Sequence, residues 1–309
     1  MGGLVTALRD TRVTVVGLGL MGGSLVAALK TNHACREVIG VARREATVAA
    51  ALERAMIDHG TCDLAAGVGS ADVVVLATPV RVILAQLAEI GPLLPPGCLL
   101  MDLGSTKAQI VAAMNRLPPH IQPLGGHPMG GKETSGLAAA EPDLYQGQVF
   151  LLTPLPRTSP EALALGRALV EAVGAHPLVL EAERHDRLAA AVSHLPYLLA
   201  CALMGMAGEL GQDDTLWQLA ASGFRDTSRL AASNVTMMLD ILLTNQEAAL
   251  EALEACEAQL RHLARLIESG DEEGLRTVLT AIRDSRVNVM RVPFTQYATR
   301  NTFPMSEVK

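Results

Sequence analysis

No run of basic residues occurs in this sequence, and its 25 lysines and arginines are outnumbered by 32 aspartates and glutamates, for a net charge of −7. That balance excludes a nucleic-acid partner. Any anionic small molecule must be gripped by individual arginines or lysines. Cysteine is scarce: Cys35, Cys62, Cys98, Cys201 and Cys256 are scattered, odd in number and without C-x-x-C spacing. A disulfide framework is excluded, and reduced thiols in a cytoplasmic protein are expected. No group of His, Cys and acidic residues has the spacing of a metal site. No basic-then-apolar leader precedes the first apolar strand near residue 12, so no secretory signal is expected. Charge is missing altogether from residues 188–208, a length that would span a bilayer. The stretch nevertheless contains His194, Pro196 and Tyr197, is richer in Ala than in Ile or Val, and has no second span beside it. It is expected to be a helix buried on all sides in a domain core or subunit interface, with no membrane partner.

With 309 residues, half of them hydrophobic, the chain is long enough for two domains. Its organising stretch is residues 13–24, where an apolar strand runs into Gly17, Gly19 and Gly22 in G-x-G-x-x-G spacing and then into a helix. Gly17 suits a sharp turn and Gly19 a close approach of backbone N–H groups to a pyrophosphate. Leu20 and Met21 open the helix, and Gly22 lets it pack close to the sheet with its N-terminus toward the anion. A second apolar strand at residues 38–41 closes the unit, which reads as a dinucleotide cradle in a doubly wound α/β sheet. A dinucleotide unit that prefers NAD usually ends that second strand in an acid, for the ribose 2′-hydroxyl; here Ala42 stands there, followed by Arg43 and Arg44. The missing carboxylate and two guanidinium groups favour NADP, with NAD possible.

Residues 71–80 are a near-continuous apolar run ending in Thr78 and Pro79, which should lie at the cofactor, beyond the carboxyl end of a parallel strand. Residues 99–107 repeat the pattern and end in Ser105, Thr106 and Lys107, where Ser105 or Thr106 is either a helix N-cap or part of the site. His127 stands among glycines just past another short strand, so a mobile active-site loop is expected there. Two further strands, at 149–153 and 176–180, flank a helix at 160–173. After residue 183 the pattern is helical only: 184–210, 215–221, 235–269 and 272–290, with Gly270 as a C-cap. Leu239, Leu243, Leu250, Leu253, Leu260, Leu263 and Ile267 form an apolar stripe along the third, and residues 294–309 read as loosely held. The boundary is placed between a dinucleotide-binding domain, 1–182, and a helical domain, 183–309. Residues 223–229 are the one densely polar patch in the second, and Arg225 and Arg229 flank Asp226 in it, either as an internal salt bridge or as an anion grip.

Five stretches in order resemble the prephenate and arogenate dehydrogenases of tyrosine biosynthesis: the glycine cradle, 102–107, 126–131, Ser193 to Pro196, and 223–229. The resemblance implies a Rossmann-type domain followed by an all-helical domain that makes an intertwined homodimer. It implies oxidative decarboxylation of a small cyclohexadienyl acid: hydride leaves ring C4 for the nicotinamide, the 4-hydroxyl loses its proton, and carbon dioxide departs. His127 is then the base, Ser105 orients the hydroxyl or the imidazole, Arg229 holds a carboxylate, and His194 lies near the substrate with Arg225 and Tyr197. The rate–pH profile should rise near the ordinary imidazole pKa. Relatives that take prephenate can carry a histidine three residues after the one matching His194; this chain has Tyr197, a neutral phenol that tolerates an ammonium, so arogenate is favoured over prephenate. The β-hydroxyacid dehydrogenases and imine reductases share the cradle but use a lysine on the helix after the first domain. The helix beginning near Glu183 has none.

Overall fold

The computed structural model describes residues 7–132, 134–211 and 214–291. The tail at 294–309 lies outside the described residues. The first part alternates strand and helix: β1 (Arg12–Val16), α1 (Leu20–Thr31), β2 (Glu37–Val41), α2 (Glu45–Glu53), β3 (His59–Thr61), α3 (Leu64–Val68), β4 (Val73–Leu76), α4 (Val80–Ile90), β5 (Leu99–Asp102), α5 (Ala108–Met114), β6 (Gln122–Pro128), β7 (Val149–Pro154), α6 (Pro160–Ala172) and β8 (His176–Val179). The strands form one sheet in the order β3-β2-β1-β4-β5-β6-β7-β8. Neighbours run parallel as far as β6, β7 is antiparallel to β6, and β8 is parallel to β7. The winding reverses between β1 and β4, and the turn after β1 opens at that switch point, where a doubly wound sheet binds its ligand.

Both faces of the sheet are covered, which is why its central strands read as unbroken apolar runs. Side chains alternate across β4: Val73 and Val75 join one core, with Val13, Val15, Leu25 and Leu29, while Val74 and Leu76 join the other, with Ile83, Leu87, Leu100 and Ile110. On α4 the buried residues are Val80, Ile83, Leu87 and Ile90, a helical spacing. Full burial of each such side chain contributes about 1.5–3 kcal/mol.

The helical part comprises α7 (Ala182–Ala189), α8 (Leu195–Leu210), α9 (Asp214–Leu219), α10 (Ser222–Ser228), α11 (Val235–Thr244), α12 (Gln246–Glu268) and α13 (Glu272–Arg291). Three expectations are corrected. The helix expected over 184–210 is interrupted by a π turn at Ala190–His194. The helix expected over 235–269 breaks at Asn245 (φ −132°, ψ 41°), because the Asn245 side chain is drawn to Asp186 and His194 instead of continuing a helical surface. The polar patch at 223–229 is itself mostly helix, followed by a 3₁₀ turn at Arg229–Ala232. Gly270, at φ +65°, does separate α12 from α13. By packing, the chain divides into two compact units, one up to Gln246 and one from Glu247 on.

The apolar stretch at 188–208 is not enclosed within the single chain. Ala182–Leu210 has a mean hydropathy of 1.6 over its most apolar window, and 22% of that window is buried. Leu188, Val192, Leu199, Met206 and Leu210 are exposed along it. A core-helix reading is therefore ruled out for the monomer.

Candidate active site

The glycine turn has the steric signature of a dinucleotide cradle. Gly17 sits at φ +104°, and a Cβ there would lie 2.8 Å from the Ala77 carbonyl oxygen. At Gly22 a Cβ would lie 1.9 Å from the Gly17 oxygen, so neither position accepts a side chain. Gly19 is the opposite case: a Cβ there meets nothing within 4 Å, and this open glycine is the N-cap of α1, whose first turn has no acidic residue. Backbone N–H groups and the positive end of a helix therefore face an open surface, and these residues fit a pyrophosphate. Leu20 is buried, and the Met21 carbonyl accepts from the Tyr145 hydroxyl at 2.6 Å. Thr78 stands against Gly17 at the end of β4 and donates to Gln86 at 2.7 Å; Pro79 caps α4. Arg43 and Arg44 are exposed at the end of β2 beside buried Ala42. No acid follows that strand before Glu45, in the first turn of α2.

His127 lies in β6 itself, opposite Leu151 of β7, and not in a mobile loop. The glycines before it serve close packing: a Cβ on Gly126 would come within 2.5 Å of the Asp102 carbonyl oxygen. Asp102, at the end of β5, accepts N–H bonds from Gly104 at 2.7 Å and Gly126 at 3.0 Å, and its Oδ2 pairs with the Lys107 ammonium. Both side chains of that pair are fully buried. Burial pulls the Lys107 pKa down, while Asp102 and Asp186 pull it back up. The pair ties the ends of β5, β6 and α5 together next to His127.

Neither Ser105 nor Thr106 caps α5. The cap comes from α7: Asp186 accepts the backbone N–H of Lys107 at 2.7 Å and of Ala108 at 2.8 Å, a carboxylate at a helix N-terminus. Thr106 is buried and paired with Thr244 of α11 at 2.8 Å. Ser105 remains half-buried in the β5–α5 loop, with no hydrogen bond among the described residues.

A hydrogen-bonded line runs from the sheet into the helices. His127 Nδ1 meets His185 Nε2 at 2.8 Å, and His185 Nδ1 meets Asp186 Oδ1 at 2.7 Å. The Asn245 amide donates to the Asp186 carbonyl at 2.8 Å and meets His194 Nδ1 at 3.2 Å. In a helix with 3.6 residues per turn, positions eight apart fall about 80° apart around the axis. The wider π turn between Asp186 and His194 takes up that offset, so one asparagine reaches both residues. Burial, then the neighbouring His185, Lys107 and His194, push the His127 pKa well below its ordinary 6.5. Burial likewise lowers His194 to about 4, with Asp186 opposing and His185 assisting. Both rings are neutral at pH 7, and the proton-accepting range of His127 extends below the imidazole range expected from sequence.

Of the other residues singled out from sequence, Tyr197 is half-buried on α8, where the neighbouring Cys201, then burial, raises its pKa. Arg225 and Arg229 are exposed, on α10 and the turn after it, which pack on α8. Nothing described joins Tyr197 or Arg225 to the His127 line. Among the described residues no group of three His, Cys, Asp or Glu is placed to hold a metal, and all five cysteines are free. His185, Asp186, Asn245, Asp102 and Lys107 received no role from sequence reasoning. One signal was available: an acid and a lysine five positions apart at the end of a buried strand, which cannot stay buried unpaired.

The prephenate dehydrogenase nucleotide-binding domain model matches residues 25–179, and the prephenate dehydrogenase dimerization domain model matches residues 181–281. The sequence is 33% identical over 287 residues to the prephenate dehydrogenase of Bacillus subtilis (90% of this chain, 76% of the relative). It is 32% identical over 268 residues to the cyclohexadienyl dehydrogenase of Zymomonas mobilis (85% and 90%). Among solved structures, prephenate dehydrogenase from A. aeolicus, in complex with hydroxyphenyl propionate and NAD+, superposes with a TM-score of 0.85 at 31% identity, covering 92% of this chain and all of that one. Synechocystis arogenate dehydrogenase does so at 0.80 and 32%, covering 90% and 99%. A 3-hydroxyisobutyrate dehydrogenase from Salmonella typhimurium, at 17% identity and 0.53, shares the fold alone. With a Rossmann-type sheet, a helical second part, a glycine cradle and both domain models matched, the chain belongs to the prephenate dehydrogenase family of NAD(P)-dependent oxidoreductases.

Proposed function

We propose that this enzyme oxidatively decarboxylates prephenate to 4-hydroxyphenylpyruvate, with His127 as the base. The observation that carries the reading is a neutral, half-buried imidazole on the strand-end side of the sheet shared with the glycine cradle, bonded through Nδ1 to His185. The bound dinucleotide supplies the hydride acceptor. His127 accepts the ring hydroxyl proton as hydride leaves the carbon that bears it. Loss of the ring carboxylate as carbon dioxide then makes the ring aromatic, which drives the reaction forward. Ser105 orients the hydroxyl or the imidazole, Arg229 grips a substrate carboxylate, and His194 and Arg225 border the substrate. Position and a correctly protonated base are what the chain adds.

Prephenate is preferred over arogenate because relatives at 33% and 34% identity bear the name prephenate dehydrogenase. Arogenate is the second reading, favoured by Tyr197, whose neutral phenol would tolerate the ammonium. NADP is preferred over NAD on account of Ala42 and the exposed Arg43 and Arg44, although the A. aeolicus relative was solved with NAD+. The functional division is placed at 182/183, near the boundary of the two family models. The exposed apolar residues of α8 and α11, with the matched dimerization domain, support a homodimer over a membrane span, and the free cysteines support a cytoplasmic location.

The test is kcat/KM for the two acids crossed with the two dinucleotides, on native enzyme and Tyr197→His. Prephenate with NADP should be the best combination, and the variant should move further toward prephenate. A charge placed beside the side chain is worth about 1–3 kcal/mol, roughly 5- to 150-fold. A tenfold lead for arogenate would restore the second reading.

A further inference from the structure

We propose that His185 and Asp186 are positioning residues that hold His127 in the tautomer protonated on Nδ1, leaving Nε2 as the nitrogen that takes the substrate proton. The proposal rests on the reading of His127 as base. Asp186 is the fixed end of the line: its Oδ1 accepts the Lys107 N–H at 2.7 Å, its Oδ2 the Ala108 N–H at 2.8 Å, and the residue is 4% exposed. A carboxylate pinned by two backbone donors is an acceptor only. His185 Nδ1, 2.7 Å from Oδ1, therefore carries a proton, and in the neutral ring Nε2 is left with its lone pair. That lone pair faces His127 Nδ1 at 2.8 Å, so the proton between the rings belongs to His127. The rings meet edge-on, with centroids 5.0 Å apart and planes at 67°. One acceptor on α7, held by the N-terminus of α5, thus sets the protonation of a ring on β6.

The same line serves the reacting state. Once Nε2 has taken the hydroxyl proton, His127 is a cation whose Nδ1–H donates to His185, and His185 donates in turn to an anion already in place. No group has to reorient. This is the arrangement of a base oriented by a third residue, lengthened by one imidazole. Asn245 holds the backbone carbonyl of Asp186 as well, so the pinned residue is fixed from both sides.

The test is ¹⁵N spectroscopy of the full-length, histidine-labelled enzyme at neutral pH, the His127 signals being those lost in His127→Ala. Native enzyme should show His127 with Nδ1 protonated and Nε2 bare. His185→Leu should lose that single tautomer and lower kcat about 10²-fold with KM for prephenate nearly unchanged. His185→Gln, whose amide oxygen can accept the Nδ1–H, should recover the tautomer and part of kcat. A native spectrum with the proton on Nε2 overturns the proposal even if neither variant folds, and so does a His185→Leu enzyme with full kcat. Retained kcat in His127→Ala would instead remove the base assignment itself, while the resting spectrum would still report which nitrogen holds the proton.

Discussion

At the scale of single residues, the account turns on one imidazole made neutral by its surroundings. Burial outweighs every other influence on His127, and the neighbouring His185, Lys107 and His194 act in the same direction. The rising limb of log kcat/KM against pH should therefore fall below the ordinary imidazole value of 6.5, with no loss of activity between pH 7 and that value. A limb at or above 6.5 would contradict the neutral-ring argument. The position of His127 near a strand end was legible in the sequence, but the loop expected around it was not found: its glycine neighbours allow β6 to press against Asp102 and do not form a mobile loop. His185 and Asn245 were not legible. They reach His127 and Asp186 from 58 and 59 residues away in the chain, and no local pattern marks a polar residue whose partner is supplied only by the fold. The buried Lys107–Asp102 pair is intermediate, since its composition signals a partner without saying which. Removing one member of such a pair costs about 3–5 kcal/mol.

Among the elements, strands were easier to anticipate than helix breaks. The parallel strands are buried on both faces and so appear as apolar runs, and the glycine turn between β1 and α1 has a steric requirement visible as spacing. The π turn at Ala190–His194 and the break at Asn245 leave no such trace, because both answer to contacts between α7 and the end of α11. These contacts have a cost in acid. The His194 pKa is about 4 in the fold and about 6.5 unfolded, so the unfolded chain binds the proton first as pH falls. His127 shifts in the same direction. Stability should be full above about pH 6.5 and decline as pH falls toward 4, His194 contributing up to about 3 kcal/mol of that loss. Denaturant unfolding of native protein and His194→Gln over this range should show a shallower decline in the variant. Parallel declines would mean that His194 is not buried neutral as described.

The whole molecule joins a nucleotide-binding sheet to a helical part that supplies His185, Asp186, His194 and Asn245 to the hydrogen-bonded line from His127 and carries exposed apolar residues. The sequence disclosed the sheet, the cradle and the helical second part. It left the apolar helix open between a domain core and a subunit interface, because an uncharged apolar run reports that a face will be covered and not what covers it; exposure of Leu188, Val192, Leu199, Met206 and Leu210 excludes the first within the single chain. The central claim, that this architecture couples hydride transfer to decarboxylation through His127, is tested most directly by following reduced dinucleotide and released carbon dioxide together, with prephenate as substrate. Native enzyme should produce the two in equal amounts, and His127→Ala should lower both rates about 10²-fold or more with cofactor affinity unchanged. Reduction without carbon dioxide, or an alanine variant that keeps its rate, would contradict the account.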